Sequence, residues 1–219
     1  MKIVAIIQAR MGSKRLPGKV LMPILHTPLL GRLVERVKRA RLIDQIVVAT
    51  SDLPQDDAIA DFVAQTPEVF LFRGDELDVL KRFAGAIQAS DAAVVMRITA
   101  DNPFFDWVLA DEALQGFVDG EIDYLSTPDY PYGIAMEVFS AKALLEVDRE
   151  ARDPYDREHV TAFFYRNPER FKIGEQRSPQ VLSHVRLTVD TREDLTRAQQ
   201  LFERFGDNVT FREVVDAEG

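Results

Sequence analysis

Short apolar runs alternate with helical segments through the first half of the chain. The apolar runs are rich in β-branched side chains, as buried strands are. They span residues 2–7, 45–49, 69–72 and 92–98. The segments between them place apolar side chains at helical spacing. They span residues 29–40, 56–64 and 78–89. This alternation predicts an α/β fold, in which a mostly parallel sheet is covered by helices on both faces.

The second half of the chain is less regular. Residues 124–133 are rich in Pro and Tyr, and this composition predicts a loop. We expect strands at residues 136–139 and 184–189, and helices from Ala141, over residues 153–165 and over residues 192–205. In an open α/β sheet, ligands bind beyond the carboxyl ends of the strands. The loops to consider for function therefore follow Ile7, Ala49, Phe72 and Ile98.

Composition limits the class of protein. The 219 residues, 46% of them hydrophobic, are enough for a single domain over residues 1–219. No stretch is long and apolar enough to cross a bilayer, and the first apolar run lacks a cleavage site, so we expect a cytoplasmic protein without a membrane partner. The absence of cysteine excludes disulfides and thiolate chemistry. A net charge of −9 argues against nucleic acid as a partner.

The loop after the first strand is basic and glycine-containing. Residues 8–19 read Gln-Ala-Arg-Met-Gly-Ser-Lys-Arg-Leu-Pro-Gly-Lys. Gly12 and Gly18 allow close approach of the backbone to a ligand, and Arg10, Arg15 and Lys19 supply cations. Cations and backbone N–H groups at the end of a strand are typical of a polyphosphate site. The order is neither that of a Walker A loop nor that of a dinucleotide fingerprint. A solvated basic loop without a ligand is the alternative interpretation.

Two aspartates follow predicted strands. Asp101 comes after the run at residues 92–98 and precedes a Pro turn, so its carboxylate is expected at the same sheet edge as the basic loop. Asp190 follows the late strand and precedes a helix. Its alternative role is the N-cap of that helix, a position that Asp favours. Two carboxylates without a His partner suit Mg²⁺, which prefers oxygen ligands and usually holds substrate phosphates as well.

The chain resembles the cytidylyltransferase family, which includes the enzymes that make CMP-ketodeoxyoctonate and CMP-sialic acid. The resemblance covers nearly the whole chain and is closest to the spore coat polysaccharide biosynthesis protein SpsF group. It is carried by residues 6–21, 97–103, 136–140, 157–161 and 186–195. The sequence departs from the family at Ala100 and Asn102, where Gly and often Cys are usual. It also lacks an acidic residue at 133–135, which bears on the identity of the acceptor.

The resemblance implies a three-layer α/β/α sandwich of the nucleotide-diphospho-sugar transferase type, with CTP as co-substrate and Mg²⁺ as cofactor. It implies catalytic roles for Arg15, Lys19 and Asp101, and metal binding by Asp101 and Asp190. The implied nucleotide-binding residues are Gln8, Ala9, Arg10, Gly12, Ser13, Lys19, Arg73, Gly74 and Arg97. Relatives also suggest a homodimer, with residues from about 124 to 180 forming the acceptor-sugar and dimerisation region.

Two residues are candidates for binding the acceptor substrate, and each also has an alternative interpretation. His159 is a candidate base or sugar contact, or a residue that pairs locally. Glu137 is a candidate for binding sugar hydroxyls, or an ordinary outward strand residue. The expected reaction joins CMP from CTP to an acidic sugar or a sugar phosphate and releases pyrophosphate, for a cell-surface or spore-coat polysaccharide. The alternatives are a glycosyltransferase that uses a finished nucleotide sugar and a nucleotide-binding protein without catalysis.

Overall fold

The computed structural model of the protein describes residues 1–218. The strands are β1 (Ile3–Gln8), β2 (Pro23–Ile24), β3 (Thr27–Pro28), β4 (Gln45–Ser51), β5 (Val69–Gly74), β6 (Val94–Thr99), β7 (Tyr124–Ser126), β8 (Glu137–Ser140) and β9 (Ile173–Glu175). The helices are α1 (Leu29–Val37), α2 (Asp57–Ala64), α3 (Val79–Ser90), α4 (Trp107–Gly120), α5 (Ala141–Glu150), α6 (Pro154–His159), α7 (Ala162–Arg166), α8 (Arg192–Phe205) and α9 (Phe211–Glu218). Short 3₁₀ turns lie at Lys19–Leu21 and Pro54–Asp56.

A mixed sheet organises the described residues, with the strand order β5-β4-β1-β6-β8-β7-β9. The first four of these strands pair in parallel, as the strand–helix alternation predicted. Strand β8 pairs antiparallel with both β6 and β7. Gln8 at the end of β1 pairs with Ala49 on one side and Thr99 on the other. The carboxyl ends of β1, β4 and β6 therefore meet at one edge of the sheet.

Apolar side chains fill both faces of this sheet. Alternate residues of β1 belong to different cores, because successive side chains of a strand point to opposite faces. Ala5 and Ile7 pack in one core with residues of α1, α4 and α8. Val4 and Ile6 pack in the other with residues of α3, α5 and α7. The predicted three-layer α/β/α arrangement is therefore the observed one, and both core layers immobilise the strand ends.

Two predicted elements in the second half are wrong. The loop expected at residues 124–133 begins with strand β7, because Tyr124 to Ser126 pair with β8 on one side and β9 on the other. The strand expected at residues 184–189 does not form. This segment instead pairs with the turn before β8: Tyr132 donates its N–H to the Val185 carbonyl, and Leu187 donates to the Tyr132 carbonyl, both at 2.8 Å. Leu187 and Val189 are buried here without joining the sheet, and Val185 is half-buried.

The helix expected over residues 153–165 is two helices, α6 and α7. Between them, Val160 has a φ of 59°, a left-handed conformation that a helix interior does not contain. Val160 is fully buried, so packing holds a conformation that a β-branched residue rarely adopts. Helices α4 and α9 are additional elements that were not predicted from the sequence. None of the helices in residues 1–218 has the length and apolar character needed to span a bilayer.

Candidate functional site

The basic loop leaves β1 at the carboxyl edge of the sheet and is tied to the end of β4. The Met11 amide donates to Asp56 Oδ1 at 2.6 Å, and the Ser51 hydroxyl donates to the other carboxylate oxygen of Asp56. Asp56 is completely buried. Gly18, at a φ of 72°, turns the chain back so that its amide donates to the Met11 carbonyl at 2.9 Å. A short, pinned loop therefore precedes Lys19, and its conformation needs glycine at position 18.

Lys19 is at the centre of the strand-end cluster. Its side chain points inward and the residue is only 8% exposed. The ammonium donates to Asp101 Oδ2 at 2.8 Å, to Asp190 Oδ1 at 2.9 Å and to the Val189 carbonyl at 2.9 Å. These three oxygens come from the loop after β6 and from the segment before α8. The cations and carboxylates that the sequence analysis expected at one edge are thus in contact.

Asp190 is surrounded by positive charge. Arg15 contacts its Oδ1 at 2.8 Å, Arg186 contacts its Oδ2, and Lys19 bonds it as described above. Burial raises the pKa of the Asp190 carboxyl, but the hydrogen bond from Lys19 and the charges of the three cations outweigh burial and hold the pKa below its usual value. The N-cap of α8 is Thr191, in a capping box with Asp194, so the alternative interpretation of Asp190 as the cap is wrong.

The oxygens around Lys19 have the chemistry of a Mg²⁺ site. Asp101 and Asp190 contribute carboxylate oxygens and Val189 a carbonyl oxygen, and all three converge on one nitrogen. Mg²⁺ prefers such hard oxygen ligands and usually retains water and phosphate ligands. Among the described residues, no group of three or more His, Asp or Glu side chains is arranged to enclose a metal. These residues therefore fit a metal that takes part of its coordination from a substrate.

A cleft of about 200 Å³ opens on the other side of the β1 end. It brings together several residues that the sequence analysis proposed for substrate binding: Gln8, Ala9, Arg10, Arg97 and His159. Arg82 also lines it. A larger cavity, about 340 Å³, lies between Tyr130 and α9, but none of the proposed site residues borders it. The cleft beside β1 is therefore the one that the strand-end residues serve.

Glu137 anchors Arg97 in a buried network. Arg97 donates to Glu137 Oε2 at 2.6 Å, and Tyr124 and Thr161 donate their hydroxyls to Oε1 at 2.6 and 2.7 Å. Burial raises the pKa of the Glu137 carboxyl, but Arg97 and the two hydroxyl donors outweigh it, so the pKa is lowered. Burial and the neighbouring Glu137 charge raise the pKa of Tyr124. Both carboxylate oxygens thus already have partners, and a sugar hydroxyl would have to share them.

His159 ends α6 at the mouth of the cleft. Its ring lies 4.1 Å from the ring of Tyr155, centroid to centroid, at 47°. The left-handed Val160 that follows ends the helix there. His159 therefore lines the cleft and contacts a neighbouring aromatic ring at the same time, which leaves both interpretations of its role open.

Arg73 and Gly74 bind the segment that follows β4. The Arg73 guanidinium donates to the carbonyls of Ser51 and Leu53, both at 2.9 Å, and pairs with Asp57 at 2.7 Å. The Gly74 carbonyl accepts a hydrogen bond from the Asp52 amide. All three nitrogens of Arg73 are engaged with protein groups, so a nucleotide contact at this side chain requires exchange of one of them. Its assignment to the base or ribose stays a prediction.

Gly12 and Ser13 lie on the outer part of the loop. A side chain at Gly12 would meet Gln55 and Glu76 at about 3.4 and 3.5 Å, so the loop packs closely on the start of the β5–α3 connection. The Ser13 hydroxyl accepts a hydrogen bond from the Leu16 amide. The Ser13 amide also donates to the Met11 carbonyl at 2.9 Å, so these contacts fix the outer part of the loop.

Arg82 is the cleft residue that the sequence analysis missed. It lies on α3 among the buried residues Val79, Leu80 and Phe83, and is itself buried. A charged residue on the apolar face of an amphipathic helix is the signal that points to it.

Comparison with known proteins agrees with this geometry. A family model described as Cytidylyltransferase matches residues 4–210. An uncharacterized protein of Methanocaldococcus jannaschii is 39% identical over 219 residues, which cover 99% of this chain and 90% of the relative. The spore coat polysaccharide biosynthesis protein SpsF of Bacillus subtilis is 38% identical over 213 residues, which cover 94% of this chain and 88% of the relative.

The solved structure of a cytidylyltransferase from Leptospira borgpetersenii superimposes with a TM-score of 0.94 at 30% identity, covering 99% of this chain and 93% of that one. Its fold is the one described here, from the parallel strands to the helices on both faces. The resemblance noted in the sequence is confirmed, and this chain belongs to the cytidylyltransferase family.

Proposed function

We propose that this protein transfers CMP from CTP to an acidic sugar or a sugar phosphate and releases pyrophosphate. The observation that carries the proposal is the contact of Lys19 and Arg15 with Asp101 and Asp190 at the carboxyl edge of the sheet. Family membership supports CTP as the donor. The likeness to SpsF of Bacillus subtilis supports a role in making a cell-surface or spore-coat polysaccharide.

In the proposed reaction, an acceptor oxygen attacks the α-phosphorus of the nucleotide. A bond forms from this oxygen to phosphorus, and the bond from phosphorus to the bridging oxygen of the β-phosphate breaks. A sugar hydroxyl that attacks releases its proton to water, whereas a sugar phosphate attacks as an anion. The leaving pyrophosphate gains negative charge, which Lys19 and Arg15 stabilise electrostatically. The residues hold both substrates in line, and no covalent intermediate is needed. Mg²⁺ bound by Asp101 and Asp190 would polarise the α-phosphate.

We assign the loop at 8–19 to the triphosphate. The exposed backbone at Gly12 and the side chains of Arg10 and Ser13 are proposed to bind phosphate oxygens, with Arg73 and Gly74 near the base or ribose. Gln8, Ala9 and Arg97 are proposed to bind the nucleotide as well, and His159 the acceptor, in a cleft whose lining carries positive charge. Positive charge beside a phosphate site is suited to a second anionic substrate, and this supports an acidic acceptor.

The test is a panel of nucleoside triphosphates crossed with acidic sugars and sugar phosphates, with pyrophosphate measured in the presence and absence of Mg²⁺. The proposal requires pyrophosphate release that depends on CTP, on one class of acceptor and on the metal. Release of a free nucleoside diphosphate from a nucleotide sugar would instead identify a glycosyltransferase. Tight CTP binding without turnover on any acceptor would identify a nucleotide-binding protein.

A further inference from the structure

Arg82 is a buried cation without a carboxylate partner. It is 3% exposed and lies on α3 among apolar neighbours. Within residues 1–218, no Asp or Glu lies within ion-pair distance of its guanidinium. Its NH1 group donates to the carbonyls of Asp75 and Glu76, at 2.5 and 3.3 Å. Its Nε–H, also buried, has no acceptor among the residues that the structure describes.

Arg36 shows what a purely structural buried arginine looks like in this protein. It is 2% exposed and, like Arg82, bonds backbone carbonyls. Its Nε donates to Phe105 at 2.8 Å, NH1 to Asp207 at 2.8 Å and NH2 to Val209 at 2.6 Å. All three nitrogens of Arg36 therefore have acceptors, whereas at Arg82 the buried Nε–H has none among the described residues. A buried N–H group without an acceptor is costly unless another partner completes it.

The surroundings of Arg82 point to an anionic partner. Burial lowers the pKa of Arg82, and the nearby charge of Arg10 lowers it further, while Asp56, Asp75 and Glu76 act in the opposite direction. Arg10 and Arg82 line the same cleft as Arg97. Counting partners in the described part of the chain, Arg97 is the one of these cations that pairs with a carboxylate, that of Glu137. An oxyanion between Arg10 and Arg82 would relieve their mutual repulsion and accept their free N–H groups.

We propose that Arg82 binds a phosphate group of the nucleotide, together with Arg10, at the floor of the cleft between β1 and α3. Phosphate is favoured over an acceptor carboxylate because Arg10 belongs to the loop assigned to the triphosphate. Arg82 also holds the backbone of residues 75 and 76, and Glu76 packs against Gly12 of that loop. The proposal rests on the proposed function, since it takes a nucleotide as the ligand. The competing role is a structural one, in which Arg82 only pins the β5–α3 connection.

The experiment compares the affinities of CTP and of uncharged cytidine for wild type, Arg82→Gln, Arg82→Lys and Arg36→Gln. Calorimetry gives the CTP affinity and NMR titration the cytidine affinity. Loss of a hydrogen bond to a charged group corresponds to a weakening of roughly 10- to 100-fold. We expect Arg82→Gln to weaken the binding of CTP by about this factor and to leave the affinity for cytidine within about twofold of the wild-type value. Arg82→Lys keeps the positive charge and should weaken the binding of CTP less than Arg82→Gln does.

Arg36→Gln is the matched control, because it removes carbonyl hydrogen bonds of the same kind far from the cleft. It should lower the melting temperature without changing the affinity for CTP. If Arg82→Gln weakens CTP and cytidine equally, or leaves both unchanged, Arg82 is structural and the proposal is wrong. If Arg82→Gln does not fold, the loss of CTP affinity relative to cytidine affinity is measured in Arg82→Lys instead. A wild-type protein that binds no nucleotide overturns both this proposal and the proposed function.

Discussion

Lys19 is bound to three oxygens that a metal ion would also use. Its ammonium is buried and bonds Asp101, Asp190 and the Val189 carbonyl. With Arg15 and Arg186 also on Asp190, the cations at this point outnumber the two carboxylates. Without nucleotide the site is therefore neutralised by the protein itself. A triphosphate would compete for these cations and leave the carboxylates free for other ligands.

Lys19→Ala and Asp101→Ala are expected to lower kcat by roughly 10²–10³-fold. Lys19→Ala removes a cation that stabilises the negative charge building on the leaving pyrophosphate, and Asp101→Ala removes a proposed ligand of Mg²⁺. Pyrophosphate release measures the effect, and circular dichroism shows whether each variant is folded. Lys38→Ala, at the C-cap of α1 where Lys38 pairs with Glu35, is the control and should keep wild-type turnover. Near-normal turnover of either site variant would exclude the assigned roles.

Metal binding should depend on nucleotide. We expect Mn²⁺, followed by electron paramagnetic resonance, to bind the free protein weakly, because Lys19 already bonds the carboxylates. Adding CTP should strengthen binding at least about tenfold beyond the affinity of Mn²⁺ for CTP alone. Lys19→Met should raise the affinity of the nucleotide-free protein for Mn²⁺. Tight binding without CTP that is the same in both proteins would contradict this expectation.

At the level of elements, Glu137 on β8 joins β6, β7 and α7 through hydrogen bonds. Arg97 on β6, Tyr124 on β7 and Thr161 next to α7 all bond this one carboxylate. Strand β8, which carries Glu137, is antiparallel and lies between β6 and β7. The network therefore positions Arg97 at the cleft and joins the parallel half of the sheet to the rest.

Glu137→Gln should destabilise the protein by about 2–3 kcal/mol at neutral pH, because Arg97 loses a charged acceptor. The folded-state pKa of Glu137 is lowered, so its contribution to stability is complete above its unfolded pKa of roughly 4.3 and is lost as the pH falls through the folded-state value. The difference in unfolding free energy between wild type and variant should thus shrink in acid. Urea unfolding between pH 7 and pH 3 measures it. A difference that stays constant would contradict the lowered pKa. The exposed Glu146, changed to Gln, is the control and should have little effect at any pH.

Gly133 determines how the turn before β8 packs on residues 185–189. Its φ is 100°, and a Cβ there would lie 2.8 Å from the Thr188 methyl carbon and 3.1 Å from the Thr188 nitrogen. Gly133→Ala should therefore lower the melting temperature more than Gly206→Ala, where φ is 74° but no atom lies within 4 Å. Backbone strain alone costs on the order of 1–3 kcal/mol, and the close contact adds to it. Differential scanning calorimetry measures the melting temperatures of both variants. Equal decreases in melting temperature would mean that the turn at Gly133 relaxes freely to accommodate the methyl group.

At the level of the whole molecule, arginines of α1 hold the C-terminal segment against the sheet. Arg36 bonds the carbonyls of Asp207 and Val209, and Arg32 pairs with Asp207. Arg32 also lies over the Phe202 ring, 4.5 Å from its centroid. Arg32 and Arg36 therefore stabilise the fold through partners in the C-terminal segment.

The homodimer stays a prediction, and the structure suggests where to test it. Large apolar or aromatic side chains are exposed in or next to the region assigned to dimerisation, at Tyr132, Tyr155, Tyr165 and Val181. Exposed patches of this kind often mark interfaces. Light scattering should give twice the chain mass for wild type and the mass of one chain for Tyr165→Glu or Val181→Glu. Leu77→Glu, at an exposed residue outside the region, should leave the mass unchanged. A wild-type monomer would refute the dimer.

The parallel half of the sheet and the basic loop were predictable from the sequence alone. Local periodicity identifies each strand and helix, and the glycines and cations of the loop stand directly after a predicted strand. Segments whose hydrogen-bond partners are distant in the sequence were not predictable in this way. Residues 124–126 became a strand because β8 and β9 flank them, and residues 184–189 did not because the turn at Tyr132 takes their hydrogen bonds.

The same division applies to the site. Lys19, Asp101 and Asp190 each stand in a local pattern that marks them, so their residue types and positions were recognisable. Their contact depends on three segments, more than 80 residues apart, that meet only when the sheet has formed. The unpaired state of Arg82 and the paired state of Arg73 are likewise properties of neighbours brought in by folding. Sequence periodicity specifies elements and their chemistry, whereas the packing of distant elements specifies which groups share one cleft.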